Sequence, residues 1–258
     1  MVEAAHRLNL TTILCDTPPD APAKQLNALA THVHGSFADA TAIHELATKC
    51  DIITAEIEHV DTYMLEELEK PEYYNTKLGG KRVEVQPDWN TIRMIQDKYR
   101  QHVTLIEEGV STAEVVNVEE ASVEELRNVG TAFGYPYMLK ARTLAYDGRG
   151  NFAVRSKEDI PKALAALEGK PLYAEKWAHF KMELSVIVVK GKEEVRGYPV
   201  AEAVHEDSIL RTCYVPARGV SQGVQEKARE LAEKAVSLFP GKGVFGVEMF
   251  LMEDGEEI

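Results

Sequence analysis

Residues 139–152 read LKARTLAYDGRGNF: an apolar run that ends in a lysine, a loop with two nearly adjacent glycines, and a second apolar run. Glycine tolerates positive φ and lets a backbone approach a ligand closely, while Lys140 and Arg149 favour an anionic ligand. The same residues also fit a surface hairpin with a type I′ turn at Asp147-Gly148. A glycine-rich loop is weak evidence when taken alone, so the choice depends on the rest of the chain.

Composition limits the classes of protein to consider. The chain has 258 residues and a formal net charge of −13, which allows a sizeable core and excludes a broad nucleic-acid surface, because phosphate contacts need a basic face. Its three cysteines, Cys15, Cys50 and Cys213, lack metal-ligand spacing and indicate a reducing compartment. No apolar stretch approaches the length of about 20 residues that spans a bilayer. We therefore expect a cytoplasmic protein without nucleic-acid or membrane partners.

The order of apolar patterns predicts two domains. Up to residue 87, helical and strand patterns alternate with short links, which predicts an α/β, doubly wound domain with a parallel sheet. This part opens directly on a helix at Val2. From Asp88, a helical run through Tyr99 precedes strands at 137–141 and 172–176 and a long strand at 244–252. We set the domains at 1–87 and 88–258.

Three features in the second domain are consistent with a nucleotide site. Lys140 ends a strand, where it can meet an α- or β-phosphate while backbone N–H groups of residues 146–151 fold over it. The strand end LYAEKW at 172–177 sets a carboxylate beside backbone groups, as in a nucleobase hinge, and Glu183 follows within reach of ribose hydroxyls. Each feature alone also fits a structural role, with the lysines as solvated strand ends and the tryptophan as a half-buried core residue.

Glu248 is the sharper anomaly. It lies in VFGVEMFLM at 244–252, and an ionised carboxylate inside such a strand is costly unless it is paired or bound to a metal. One alternative is a buried salt bridge to Lys140 or Arg211. The other is a Mg²⁺ site, since Mg²⁺ takes one or two carboxylates together with phosphate oxygens and water.

Two polar segments supply further candidates. In HEDSILRT at 205–212, the planar guanidinium of Arg211 suits a phosphate or a carboxylate-like anion, whereas a lone histidine is more often structural. In TAEIEH at 54–59, Glu56 and Glu58 follow a strand, where a doubly wound sheet binds ligands. They could equally be two ordinary solvated carboxylates.

Taken in order, six segments resemble the carboxyaminoimidazole ribonucleotide synthetase family of ATP-grasp enzymes. They are ITAEIEHV (53–60), TIRMIQDKY (91–99), LKARTLAYDGRGNF (139–152), PLYAEKW (171–177), HEDSILRT (205–212) and FGVEMF (245–250). The likeness runs from Val2 to Ile258 and is closest to the fungal form, in which this module is the N-terminal half of phosphoribosylaminoimidazole carboxylase. It implies a pre-ATP-grasp domain at 1–87, an α+β ATP-grasp domain at 88–258, and a lid subdomain at about 111–178.

The resemblance implies an ATP-dependent ligase of purine biosynthesis that carboxylates aminoimidazole ribonucleotide with bicarbonate through carboxyphosphate. Its ATP-binding residues would be Lys98, Lys140, Tyr146, Asp147, Gly148, Arg149, Gly150, Asn151, Glu175, Lys176, Trp177, Ala178, Glu183 and His205. Its catalytic residues would be Tyr146, Asp147, Arg149 and Arg211, with Glu56, Tyr146 and Arg149 binding the imidazole nucleotide and Glu248 binding Mg²⁺. We accordingly expect ATP and Mg²⁺ as cofactors, small molecules as partners, and a homodimer.

The sequence departs from the family in three places. The family begins with a strand and a GGGQLGRM turn, of which only Met1 remains, and it continues past Ile258 with an Asn-Glu metal-binding pair and, in fungi, a C-terminal mutase module. If Asp254-Gly255 forms a two-residue turn, the residue opposite Glu248 would lie beyond the last position. His102 stands where relatives tend to have lysine. We therefore expect this chain to be weakly active or inactive until both ends are restored.

Two other functions stay open. A different ATP-grasp ligase, such as a glycinamide ribonucleotide synthetase, would turn over without bicarbonate. A non-catalytic nucleotide-binding fragment would bind ATP without turnover.

Overall fold

The computed structural model describes residues 1–145, 150–206 and 209–258. The chain forms two compact units, Met1–Arg93 and Met94–Ile258. Among the described residues, no helix combines the length and the apolar character needed to cross a membrane.

The first unit is built from short elements. Its helices are α1 (Val2–Arg7), α2 (Pro22–Gln25), α3 (Ala40–Lys49), α4 (Thr62–Glu69), α5 (Pro71–Lys77) and α6 (Trp89–Gln96), the last of which runs past the unit boundary; its strands are β1 (Cys15–Asp16), β2 (Val33–His34), β3 (Ile52–Ile53) and β4 (Glu84–Val85). Strands β1 and β2 pair in parallel, as do β3 and β4. The predicted parallel α/β pattern is therefore confirmed.

Aspartate caps fix where two helices of this unit begin. The Asp39 carboxylate accepts a hydrogen bond from the Thr41 N–H at 2.8 Å at the start of α3. At the start of α4, Asp61 accepts from the N–H of Tyr63 at 2.9 Å. Both helices turn apolar faces to a core that also contains the strands, with Ile43, Ala47, Ile53, Leu65, Leu68, Val83 and Val85 buried together.

The second unit holds two antiparallel sheets. Its helices are α7 (Lys98–Glu107), α8 (Val123–Phe133), α9 (Ile160–Ala166) and α10 (Gln222–Ser237), with a 3₁₀ turn at Lys157–Asp159; its strands are β5 (Val115–Val118), β6 (Tyr137–Ala141), β7 (Asn151–Val154), β8 (Leu172–Lys176), β9 (Phe180–Lys190), β10 (Val195–Gly197), β11 (Ala201–Glu206), β12 (Ile209–Tyr214) and β13 (Gly243–Met252). One sheet has the order β5-β8-β6-β7, and the other has the order β10-β9-β11-β12 with β13 also paired to β9.

Each sheet packs one face on helices. In the four-stranded sheet, Tyr137, Leu139 and Ala174 face a core shared with α8 and α9, and the Tyr137 hydroxyl donates to the Leu126 carbonyl at 2.9 Å. In the five-stranded sheet, alternate residues of β9 and β13 pack against α10; this core contains Leu184, Val186, Val188, Val224, Ala228, Ala232, Val236, Phe245 and Leu251. The opposite faces carry the candidate site residues, because side chains alternate along a strand.

One predicted helix is divided. The pattern predicts a single helical run from Asp88 through Tyr99, but α6 ends at Gln96 and α7 begins at Lys98. Asp97 between them is extended, with φ −106° and ψ 100°, and its carboxylate accepts from the Arg100 N–H at 3.2 Å. Aspartate competes with the helical backbone for hydrogen bonds and so favours the cap position over the helix interior. The break frees the Asp97 side chain for other partners.

Candidate functional site

Lys140 and Glu175 meet across the four-stranded sheet. In the antiparallel ladder between β6 and β8, Lys140 lies opposite Tyr173, and Met138 lies opposite Glu175. Lys140 and Glu175 are therefore diagonal neighbours on one face, within reach of long side chains. The Lys140 Nζ lies 2.8 Å from Glu175 Oε1. The strand register thus brings together Lys140, which was predicted to bind phosphate, and Glu175, which was predicted to lie in the hinge.

The second oxygen of Glu175 is buried beside a histidine. Helix α7 places His102 Nε2 at 3.4 Å from Glu175 Oε2, which is within ion-pair range. The geometry does not meet hydrogen-bond criteria, and Oε2 has no hydrogen-bond partner among the described residues. The other ring nitrogen, Nδ1, lies 2.7 Å from the Thr112 hydroxyl. Burial lowers the pKa of His102, opposed by the charge of Glu175, so the neutral imidazole is favoured here.

Tyr173 lies beside His102 and Tyr99. Its ring centroid lies 6.0 Å from that of His102 and 6.2 Å from that of Tyr99. Burial raises the pKa of the Tyr173 hydroxyl, and the negative charges of Glu175 and Asp97 add to the rise. The phenol therefore stays protonated and can donate a hydrogen bond.

The predicted hinge continues from β8 into an irregular link before β9. The Lys176 N–H donates to the Glu114 carbonyl at 2.9 Å, and its ammonium pairs with the Glu114 carboxylate at the surface. Trp177 lies half-buried with the Arg155 guanidinium carbon 5.8 Å from its ring centroid. Ala178 is half-buried as well. The hinge residues are thus held at the end of β8 by a neighbouring segment, not left as free strand ends.

Glu183 and His205 form a pair on the five-stranded sheet. The Glu183 Oε2 lies 2.9 Å from His205 Nδ1, bringing β9 and β11 side chains together. This contact is within ion-pair range, although Nδ1 lacks a hydrogen bond of good geometry within the described residues. Burial raises the pKa of Glu183, and the charge of Glu248 adds to the rise while His205 opposes it.

The premise that Glu248 is buried is wrong. Glu248 lies on β13, opposite Ser185 of β9, and is exposed. Its strand alternates, so that Phe245 and Leu251 are buried against α10 while Val244 on the other face is 66 % exposed. An apolar run predicted a strand covered on both faces, but one face is open. The buried salt bridge offered as an alternative is not formed either, since Lys140 pairs with Glu175 and Arg211 lies 3.8 Å from Glu206.

Several of the other predicted residues lie on other elements or outside the described residues. Arg211 is exposed on β12, and Glu56 is exposed in the bend after β3. The loop residues Tyr146, Asp147, Gly148 and Arg149 lie outside the described residues. Lys98 is the first residue of α7. In the described ranges, no group of three or more His, Cys, Asp or Glu side chains is arranged to hold a metal ion.

The two ends of the glycine-rich loop come together. Gly150 has φ +102°, and its carbonyl accepts from the Ala141 N–H at 2.7 Å. A Cβ at this position would lie 3.0 Å from the Cβ of Ala145. Glycine is therefore required both by the positive φ and by the close approach. Asn151 then begins β7 as an exposed residue.

Sequence reasoning missed an ion pair next to this site. Arg142 Nε lies 3.1 Å from Asp97 Oδ1, and its Nη2 contacts the other carboxylate oxygen. Nη1 donates to Asn117 Oδ1 at 3.0 Å. The sequence does show an arginine two residues after Lys140. Its partner Asp97, however, lies in a segment that was predicted to be one continuous helix. His102 was noted only as a departure from the family.

The fold, with two antiparallel sheets in the second unit, is that of the ATP-grasp class of nucleotide-dependent enzymes. Residues 103–258 match the family described as ATP-grasp domain, and residues 1–96 match the Ribonucleotide synthetase preATP-grasp domain. The chain belongs to the ATP-grasp family. The family and the two-part fold expected from the six motifs are thereby confirmed.

Particular relatives narrow the likeness. The phosphoribosylaminoimidazole carboxylase of Ogataea methanolica is 50 % identical over 257 residues, covering 99 % of this chain and 45 % of that protein. The carboxyaminoimidazole ribonucleotide synthase of Aspergillus clavatus, solved with ATP, superposes with a TM-score of 0.90 at 53 % identity, covering 98 % of this chain and 63 % of that one. An Aspergillus clavatus N5-carboxyaminoimidazole synthase was solved with ADP and 5-aminoimidazole ribonucleotide, at 51 % identity, a TM-score of 0.90 and the same coverage. The chain thus spans less than half of the first relative and under two thirds of the other two.

Proposed function

We propose that this chain carries the ATP-dependent carboxylation of aminoimidazole ribonucleotide in purine biosynthesis. The observation that carries the proposal is the likeness, over 98 % of this chain, to a protein solved with ADP and 5-aminoimidazole ribonucleotide. A bicarbonate oxygen attacks the γ-phosphorus of ATP and the bond to the β-phosphate oxygen breaks, giving ADP and carboxyphosphate. The exocyclic amine then attacks the carboxyl carbon, phosphate leaves, and the nitrogen loses a proton.

This chemistry needs charge neutralisation and exclusion of water more than it needs a nucleophile. Lys98 and Lys140 bind the phosphates, and residues 175–178 hold adenine. The 2.8 Å contact between Lys140 and Glu175 supports this assignment, since it places a cation and a nucleobase-facing segment on neighbouring strands. Glu183 accepts ribose hydroxyls, and His205 completes that side of the nucleotide site.

The acceptor side of the proposal rests on residues with fewer structural constraints. Tyr146, Asp147 and Arg149 act on bicarbonate and on the imidazole nucleotide, Arg211 binds an anionic oxygen of the reacting groups, and Glu56 binds the imidazole nucleotide. The exposed guanidinium of Arg211 supports its part, since no buried partner holds it among the described residues.

Mg²⁺ fits the donors on the open face of the five-stranded sheet. Glu248 and Glu183 lie on neighbouring strands, and burial raises the pKa of Glu183, with a further rise from the charge of Glu248. Two carboxylates that repel each other are suited to a hard divalent cation, which prefers oxygen ligands. Glu248 would hold the ion, and the ion would neutralise phosphate charge when bound.

The setting of the reaction is also a proposal. We place it in the cytoplasm, because Cys15, Cys50 and Cys213 are free thiols in the described structure, as expected in a reducing compartment. We further propose that the active form is a homodimer and that a mutase module accompanies this one. The length of the Ogataea methanolica relative, of which this chain covers 45 %, supports the second point.

The test is phosphate release from ATP by the longest natural polypeptide that contains this chain. Bicarbonate and aminoimidazole ribonucleotide are varied independently, and we expect release to require both. Phosphate release that does not depend on bicarbonate would instead indicate another ATP-grasp ligase. ATP binding without any release would indicate a nucleotide-binding module.

A further inference from the structure

The Arg142 side chain contacts three neighbouring side chains. Its guanidinium forms a two-pronged contact with Asp97, donates to Asn117 at 3.0 Å, and lies 5.0 Å from the Tyr99 ring centroid. All three guanidinium nitrogens therefore have acceptors, in the planar geometry that suits a carboxylate. The side chains of Arg142 and Asp97 are only 22 % and 17 % exposed.

The backbone of the same residue ties three segments together. The Arg142 N–H donates to the Pro171 carbonyl at 2.9 Å, just before β8 begins. The Arg142 carbonyl accepts from the Lys98 N–H, also at 2.9 Å. Since Arg142 follows Lys140 by two residues and its carbonyl binds the Lys98 N–H, it links the segments that carry the two lysines assigned to the phosphates.

Asp97 has two functions at once. Its carboxylate caps α7 through the Arg100 N–H and also binds Arg142. The position of the first residue of α7, Lys98, therefore depends on the same carboxylate that fixes Arg142. A shift of this pair would move Lys98 and Lys140 relative to each other.

Stability gives little reason for such a pair. Burying two charges costs solvation that the mutual attraction and hydrogen bonds only balance, and an apolar replacement is often as stable. What the ion pair provides is a fixed geometry, because a bidentate contact constrains both distance and orientation.

We propose that Arg142 is a positioning residue that holds Lys98 and Lys140 at the spacing needed for the nucleotide phosphates. This inference rests on the proposed function. Arg142 itself does not touch the phosphates, and it acts through its ion pair with Asp97 and its backbone contact to Lys98.

The test compares ATP and adenosine affinities by calorimetry in Arg142→Lys, Asp97→Asn and the double variant. Lysine keeps the charge but lacks the fork, and asparagine is as good a helix N-cap as aspartate. We expect each single variant to lose about tenfold or more in ATP affinity, since small misplacement of binding groups is costly, with adenosine affinity retained. The ATP affinity of the double variant should be no lower than that of the weaker-binding single variant, because both changes break the same contact.

Arg218→Lys is the matched control. Arg218 forms a comparable two-pronged contact with Glu202, at 2.9 and 2.8 Å, and its guanidinium carbon lies 3.2 Å from the Tyr214 ring centroid. We expect this variant to keep its ATP affinity. Unchanged ATP affinity in folded Arg142→Lys would overturn the inference while leaving the proposed function intact, as would equal losses for ATP and adenosine. All variants are made in the longest natural polypeptide that contains this chain, and failure of that parent polypeptide to bind ATP would overturn the proposed function itself.

Discussion

At the scale of single residues, removal of the Lys140 ammonium tests the phosphate assignment. The ammonium is 2.8 Å from the buried carboxylate of Glu175, so its removal also lowers stability by leaving that carboxylate without its charged partner. We expect Lys140→Met to lose about tenfold or more in ATP affinity, because charge-assisted contacts to phosphate are among the strongest polar contacts. Calorimetry with ATP and a thermal unfolding scan would measure the two effects separately.

Lys162→Met provides the comparison for that variant. Lys162 is exposed on α9, in the same unit of the chain, and we expect neither ATP affinity nor unfolding temperature to change. If folded Lys140→Met bound ATP as tightly as the parent chain, the assignment of Lys140 to the phosphates would be wrong.

His102 should make stability depend on pH. Burial lowers its pKa below the ordinary value of 6.5, with further lowering by Lys140 and Lys98 and opposition from Glu175. Below that ordinary value, the unfolded chain binds a proton that the folded chain resists. His102 therefore does not reduce the unfolding free energy above about pH 6.5. On acidification below that value, it lowers the unfolding free energy by at most about 1.4 kcal/mol per pH unit for one proton.

Chemical denaturation at pH 7.0 and 5.5 of the parent chain and His102→Gln would measure this contribution. We expect the loss on acidification to be smaller in His102→Gln, since glutamine does not titrate. The variant His179→Gln, at an exposed histidine, should behave like the parent chain. Identical pH dependence in parent and His102→Gln would contradict the prediction.

At the scale of secondary-structure elements, one lysine closes the C-terminus of α10. The Lys190 Nζ donates to the carbonyls of Val236 at 3.4 Å and Ser237 at 3.0 Å, and also to that of Phe239. The Val236 carbonyl also accepts from the Phe239 N–H at 3.3 Å, while Lys190 adds a donor at the helix end, where the last carbonyls lack their usual intrahelical partners and a cation favours the helix dipole. We expect Lys190→Met to lose about 1–2 kcal/mol of unfolding free energy.

Urea denaturation would measure that loss, with Lys192→Met as the comparison, since Lys192 is exposed in the following turn. A loss of the same size in both variants would indicate a general charge effect in place of a cap. A chain with a net charge of −13 makes this comparison necessary.

Element boundaries were predictable where period and turn signals agreed. The strands at 137–141 and 172–176 have the predicted bounds, because each is short and is preceded by a proline, Pro136 or Pro171. The first unit was harder: in the apolar run from Thr11 to Cys15, only Cys15 belongs to a strand, Cys15–Asp16, since its pairing partner is itself a two-residue strand. The break at Asp97 was not predicted, because an aspartate within a helical pattern does not show in the sequence alone that it will cap a new helix, as it does here through the Arg100 N–H.

At the scale of the whole molecule, the residues that form the candidate site could be named from the sequence, but their surroundings could not. The pairing of Lys140 with Glu175 follows from strand register, which depends on partners many residues apart. The exposure of Glu248 depends on what covers each face of a sheet, and an apolar run does not show that. Motif order therefore named candidate residues, while their contacts required the structure.

The division into two units predicts which segments each ligand protects from hydrogen exchange. All described residues assigned to ATP lie between Lys98 and Glu248, in the unit Met94–Ile258, whereas Glu56 lies in the unit Met1–Arg93. A ligand stabilises the native state by about 2.7 kcal/mol at a hundred times its Kd, and slower amide exchange reports where that stabilisation acts. Hydrogen exchange with ATP alone should therefore show protection in β6, β8 and β9 and none in the core formed by α3 and α4. Adding aminoimidazole ribonucleotide should protect residues 54–60 as well. Protection of 54–60 by ATP alone, or its absence with both ligands, would remove Glu56 from the acceptor site.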